Sequence, residues 1–267
     1  MSTLRVTVVQ FAPGESAAAN LDAMAPFVQE AAEAGSEMVV FPEYSHAFTP
    51  TLGEQWAASA ESAEGEFVRG LTALSTGHGG MVIVAGMLLR SLGDERPANT
   101  QLAVGTEGIL ARAEKIHLYD AFGATESTWI RPGALSEPEL FSCGGLRIGM
   151  MACYDLRFPE VSRRLVDAGA EVIVTPAQWV PGESKAHHFE TLLTARAIET
   201  QTFVVASDHP EPSGVGLSQI VDPRGRVVAT AGVDAGVVHG ELESALLHEV
   251  REANPMSAAR RFGVTPL

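Results

Sequence analysis

Lysine is almost missing from this chain. Among 267 residues only Lys115 and Lys185 carry an ammonium, against 16 arginines. A lysine kept in such a chain can mark a task that needs a compact cation rather than a planar fork. Cysteine is equally scarce. Cys143 and Cys153 are too few for a stapled framework or a cysteine-rich zinc site. Two free thiols are the default, and a free thiol is more often a small buried hydrophobe than a nucleophile. No apolar run reaches the roughly 18 residues that span a bilayer. The start, Met1-Ser2-Thr3-Leu4-Arg5-Val6, lacks the basic-then-apolar layout of a signal peptide. A soluble, cytoplasmic protein is expected. Positive charge is short as well: 18 basic residues face 33 acidic ones, a net charge of −15. Such a surface repels phosphate backbones and anionic lipids, so neither nucleic acid nor membrane is expected as a partner.

What is present is an ordinary globular mix, 46 % hydrophobic and 19 % charged, which excludes wholesale disorder. Without repeats, low-complexity tracts or long linkers, residues 1–267 are read as a single domain. Strands are expected at Arg5–Phe11, Glu37–Phe41, Met81–Leu89, Asn99–Val104, Ile109–Ile116, Glu139–Cys143, Leu146–Cys153, Val172–Pro176, Phe203–Ser207, Leu217–Val221, Arg226–Ala231 and Val238–Leu242. Helices are expected at Ala17–Ala34, capped by Ser16 or Asn20, and at Glu66–His78, Pro159–Ala168, Ser184–Thr200 and a last stretch to about Arg261. Gly144-Gly145 and Asp222-Pro223-Arg224-Gly225 are turn signals. So many hairpins among βαβ units point to an α/β layered fold with mixed sheets.

Three candidate residues share one setting. Glu43 follows the apolar run Met38–Phe41 and Pro42, Lys115 ends the run from Ile109, and Cys153 follows Ile148–Ala152. Reactive side chains in α/β sheets collect at strand ends. A carboxylate can take a thiol proton and later return it to a leaving amine. A lysine can hold the oxyanion of a tetrahedral intermediate. Together they suit acyl transfer from an amide, through a thioester, to water. The competing reading is a surface glutamate, a salt-bridged lysine and a core thiol.

The same residues carry a resemblance. Phe41-Pro42-Glu43, Lys115-Ile116-His117-Leu118-Tyr119-Asp120 and Cys153-Tyr154-Asp155-Leu156-Arg157-Phe158-Pro159-Glu160 stand in the order of the signature segments of nitrilase-superfamily carbon–nitrogen hydrolases. The likeness continues through Thr194–Gln201 and Asp222–Gly225 to Arg260-Arg261. It implies an αββα sandwich that dimerises to αββα–αββα, with no cofactor and no metal. It also implies Glu43 as general base, Lys115 as oxyanion stabiliser, Cys153 as nucleophile, and Glu126 as the second glutamate that positions Lys115. The N–H of Tyr154 is the implied second oxyanion donor. The chain looks most similar to the small amidases that include omega-amidase and deaminated-glutathione amidase. Two segments depart from that pattern. Gly216-Leu217-Ser218 replaces the usual Gly-His-Ser. Gln178-Trp179 stands where a small residue and Phe are common, at a strand end expected to line the pocket.

The implied reaction is cleavage of the C–N bond of a small, carboxylate-bearing amide, with release of ammonia. Alternatives are an N-carbamoyl hydrolase or acyltransferase using the same trio, or a non-catalytic binding protein on the same fold. His187-His188 is not expected to form a joint metal site, because neighbours on a helix face different ways. Asp155 and Arg157 are expected either to pair beneath the nucleophile loop or to touch substrate.

Overall fold

The fold follows from strands that are apolar on both faces. A computed structural model describes residues 2–51, 53–90, 93 and 95–266. In chain order the strands are β1 (Thr3–Gln10), β2 (Met38–Val40), β3 (Val82–Leu89), β4 (Ala98–Gly105), β5 (Gly108–Glu114), β6 (Leu140–Cys143), β7 (Leu146–Met150), β8 (Val172–Pro176), β9 (Phe203–Ser207), β10 (Gln219–Val221), β11 (Val227–Thr230) and β12 (Gly236–Glu243). The helices are α1 (Ala17–Glu33), α2 (Glu54–Ala58), α3 (Glu66–Gly77), α4 (Pro159–Asp167), α5 (Lys185–Thr200), α6 (Ser244–Ala253) and α7 (Met256–Ala259).

Two six-stranded sheets result, in the orders β12-β1-β2-β3-β4-β5 and β11-β10-β9-β8-β7-β6. Each is mixed. β1, β2 and β3 run parallel, as do β7, β8 and β9. The flanking strands pair antiparallel.

Side chains alternate across each strand, so consecutive residues enter different layers. Val8, Val40, Val172, Val174 and Val205 pack between the two sheets. Their neighbours Val9 and Val39 face Met24 and Val28 of α1 and Phe67 and Leu71 of α3. Ile173 and Val204 face Leu165 of α4 and Phe189 and Leu193 of α5. The order helix, sheet, sheet, helix is the expected αββα sandwich. A one-residue slip in any of these strands would exchange the two faces, and burial on both sides fixes the register.

The turn signals are obeyed. Gly144 and Gly145 take φ of 56° and 76° between β6 and β7, and Asp222 Oδ1 accepts from the N–H groups of Arg224 and Arg226. Of the two cap candidates of α1, Ser16 is the one that caps, while Asn20 lies inside the helix and bonds to Gly14 and to His46 O. Two expectations need correction. The last helix breaks at Asn254-Pro255, where proline cannot continue the ladder. β10 begins at Gln219 because Leu217 is in the left-handed region at φ 58°. None of the described helices is long and apolar enough to cross a membrane.

Candidate active site

β2 stops at Val40, and the chain then runs over β3. Phe41 N–H donates to Val84 O at 2.8 Å and His46 N–H to Gly86 O at 3.0 Å. This approach requires Gly86. A Cβ there would lie 2.7 Å from Tyr44 N and 2.8 Å from Glu43 Cα. Tyr44 is held at φ 58°, a conformation that non-glycine residues adopt only when their surroundings impose it. His209 pins the same loop by donating from Nε2 to Glu43 O at 2.7 Å. Burial pulls the His209 pKa down to about 4, so the ring is neutral.

Lys115 directly follows β5, and its N–H donates to Asn99 O on β4 at 2.8 Å. Its Nζ lies 3.0 Å from Glu43 Oε1 and 3.0 Å from Glu126 Oε2. All three side chains are buried. Burial alone would push the lysine pKa down. The Glu126 and Glu43 charges overcome it and hold the ammonium well above its ordinary value. Two carboxylates share that one cation, and their surroundings push them apart. Burial raises Glu43, more than Lys115 and Asn99 offset, and the Glu126 charge raises it further. Glu126 goes the other way despite burial, because Lys115, the Tyr119 N–H at 2.6 Å and the Tyr44 hydroxyl all favour its charge. Of the two, Glu43 is therefore the carboxylate poised to carry a proton. Asn99 Nδ2 joins the network at 2.6 Å from Glu43 Oε1.

Cys153 opens a 3-10 turn, Cys153–Arg157, just past the end of β7. Its φ of 38° marks the sharp strand-to-helix turn that presents a nucleophile. The Sγ donates to Gln178 O at 3.4 Å, and Gln178 N–H donates to Glu43 Oε2 at 2.8 Å. One peptide segment thus holds both thiol and carboxylate. Burial, with the Glu43 charge, pushes the thiol well above its usual range, and Lys115 offsets only part of this. The resting group is a neutral thiol. Asp155 ties this turn to the lysine segment. Its carboxylate accepts from His117 N–H at 2.9 Å and contacts His117 Nδ1 at 2.8 Å. It forms no pair with Arg157, whose guanidinium lies over the Trp179 ring, 4.8 Å from its centroid.

Glu43, Lys115, Glu126, Cys153, Tyr154, Gln178 and Trp179 all line one cavity of about 860 Å³. The Gln178 side chain is directed to Ser213 O. Trp179 is both wall and core. It packs on Phe189, and its Nε1 donates to Lys185 O at 2.9 Å. Cys143 is elsewhere, at the end of β6, donating to Glu37 O at 3.5 Å. The sequence reading had not placed Tyr44, Asn99, Tyr119, Lys185 and His209 at the site. Tyr44 is next to Glu43, and Lys185 stood out by scarcity. Asn99, in a strand of small polar residues, gave no signal.

A family model described as carbon–nitrogen hydrolase matches residues 5–252. The chain is 34 % identical to deaminated glutathione amidase of Escherichia coli O157:H7 over 257 residues, covering 96 % of this chain and 97 % of that one. It is 31 % identical to 2-oxoglutaramate amidase of Bacillus subtilis over 236 residues, covering 83 % and 88 %. Among solved structures, XC1258 from Xanthomonas campestris, a CN-hydrolase superfamily protein, matches with a TM-score of 0.87 at 26 % identity, covering all of both chains.

Proposed function

The chain belongs to the carbon–nitrogen hydrolase family, and from that premise we propose that it hydrolyses a small linear amide whose acyl part bears a carboxylate. Glu43 takes the thiol proton as the Cys153 sulfur adds to the amide carbonyl. Lys115 and the Tyr154 N–H hold the oxyanion, and Glu126 keeps Lys115 in place. Collapse breaks the C–N bond, and Glu43 returns the proton to the departing ammonia. The thioester is then opened by a water that Glu43 deprotonates, which releases the acid and restores the thiol. The single observation that carries this reading is the Gln178 segment, bonded at once to the thiol and to the carboxylate. A neutral thiol needs a base within reach, and Glu43 is the buried carboxylate raised toward that task.

Ammonia release from a panel of monoamides, carbamoyl amino acids and nitriles tests it. Monoamides should be turned over, and Cys153→Ala should abolish turnover with the fold intact. Release only from nitriles or carbamoyl compounds, or full activity in the alanine variant, would defeat it. The same reading makes the enzyme a cytoplasmic homodimer assembled through exposed faces of α4 and α5. A monomeric mass at micromolar concentration would contradict that assembly.

A further inference from the structure

The wall of the cavity beside Cys153 holds two cations, Lys185 and Arg157, that no carboxylate neutralises among the described residues. Lys185, at the first position of α5, is buried. Its Nζ donates to the Tyr119 hydroxyl at 2.9 Å and lies 3.7 Å from the Phe122 ring centroid. Arg157 lies over Trp179, and its Nη2 is 3.4 Å from His188 Nδ1. The Arg157 Nε is buried with no hydrogen-bond partner. Among the described residues no carboxylate lies within 4 Å of either cation, whereas Lys115, the third cation lining this cavity, is paired twice. Glu183, on the rim, is exposed and bonds to neither.

Such an arrangement is costly without a ligand. Burial and the Arg157 charge both pull the Lys185 pKa down, and an unpaired buried N–H loses its hydration. The hydroxyl and ring faces around Lys185 hold an ammonium in place without supplying a counter-charge. The opposite end of the cavity has the reverse sign, since two carboxylates there share the single Lys115. A substrate with one anionic end can therefore bind in one orientation, its carboxylate drawn to one wall and repelled by the other.

We propose that Lys185, standing beside Arg157 on this wall, is the residue that selects carboxylate-bearing amides over neutral ones by holding the carboxylate on the acyl part of the substrate. The proposal rests on the amidase reading for its substrate and on the cation pair for its site, and the two can fail separately.

The test compares kcat/KM for glutaramate with that for its neutral diamide, in wild type and in Lys185→Met. A charge-assisted hydrogen bond lost from a dry site costs roughly 10- to 150-fold in affinity. The carboxylate-over-neutral ratio should fall by about that factor, mainly through KM, and Lys185→Arg should restore part of it. An unchanged ratio, with both substrates slowed alike, would overturn the proposal. A second readout needs no turnover. Glutarate should slow iodoacetamide labelling of Cys153 in wild type, and this protection should vanish in Lys185→Met, with Lys185→Gln as the replacement should the methionine variant not fold. If wild type hydrolyses neither amide yet glutarate still protects, the amidase reading fails and the anion subsite stands. No protection in wild type overturns the subsite.

Discussion

The two lysines of this chain sit in one cavity and are held in opposite ways. Lys115 lies between Glu43 and Glu126, with its charge answered twice over by the protein itself. Lys185 rests on a hydroxyl and an aromatic face, with no carboxylate within 4 Å among the described residues and Arg157 as its charged neighbour. Their pKa values move in opposite directions accordingly, Lys115 up and Lys185 down. The difference separates two uses of a buried ammonium. A cation that must stay fixed while charge develops beside it is locked by internal carboxylates, because preorganised donors lose least on reaction. A cation that must meet a charged ligand is left unanswered, and the ligand completes it.

The sharpest way to break this comparison is to remove each charge in turn. Lys115→Met leaves two buried carboxylates facing each other without a cation. Breaking a buried pair costs about 3–5 kcal/mol, so urea unfolding should show a loss of that order. Turnover should fall at least about 10²–10³-fold through the lost oxyanion donor. Lys185→Met removes no ion pair and relieves repulsion with Arg157, so its stability should change by no more than about 1 kcal/mol. Equal losses of stability in the two variants would mean that both lysines are structural.

The carboxylate side gives the next largest effect. Glu43→Gln should lower kcat by about 10²–10⁴-fold, the usual contribution of a general base. In wild type the base works when deprotonated, so kcat/KM rises as pH climbs through the Glu43 pKa. Burial and the Glu126 charge raise that pKa, which moves the acid limb above the range of an ordinary glutamate. Glu126→Gln removes one of the raising charges, so in whatever activity remains the limb should shift to lower pH. A shift to higher pH would show that the limb belongs to another group.

Labelling contrasts the two thiols. Burial and the Glu37 charge hold the Cys143 thiol at about 12, and its Sγ donates to a backbone carbonyl, Glu37 O. Cys153 is also raised, but Glu43 can accept its proton in an open cavity. Iodoacetamide should therefore modify Cys153 first, by tens-fold or more, and Glu43→Gln should erase that lead. Peptide mass mapping at partial modification reads the ratio, and preferential labelling of Cys143 would remove Cys153 from the nucleophile role.

The layers were legible because burial on both faces leaves a continuous apolar run, as in Val39-Val40 and Val172-Ile173-Val174, and because glycine pairs mark the hairpins. The position of Glu43 and Cys153 past the ends of β2 and β7 was readable for the same reason. The meeting of Glu43, Glu126 and Lys115 was readable only through the resemblance, and the contacts that hold this set in place were not readable at all. Asn99 donates to Glu43 across 56 positions, and His209 pins the Glu43 carbonyl across 166. Neither partner has a local pattern that separates it from an ordinary strand-end polar residue. Lys185 was visible only as a rarity. Its neighbour Arg157 lies in the same signature segment as Cys153, and nothing in sequence says that the two cations meet. The thiol was partly legible. Two carboxylates beside Lys115 limit how far that lysine can lower the thiol, and burial, a quantity absent from sequence, is the main cause that raises it.

The smallest expected effect sharpens the comparison most, because it acts on Lys185 alone. Tyr119 touches both lysine environments. Its backbone N–H holds Glu126 at 2.6 Å, on the Lys115 side, and its hydroxyl accepts from Lys185 Nζ at 2.9 Å. Tyr119→Phe keeps the backbone bond and the ring but removes the hydroxyl. A single net hydrogen bond is worth about 0.5–1.5 kcal/mol, which corresponds to roughly 2- to 10-fold in affinity. The ammonium, no longer tethered, should hold a carboxylate ligand less well. KM for a carboxylate-bearing amide should rise by that factor, with the loss concentrated there rather than in kcat. The neutral diamide, which makes no use of Lys185, should show a smaller change in KM. A fall in kcat with KM unmoved would place the hydroxyl on the Lys115 side of the cavity, and the division of labour between the two lysines would be wrong.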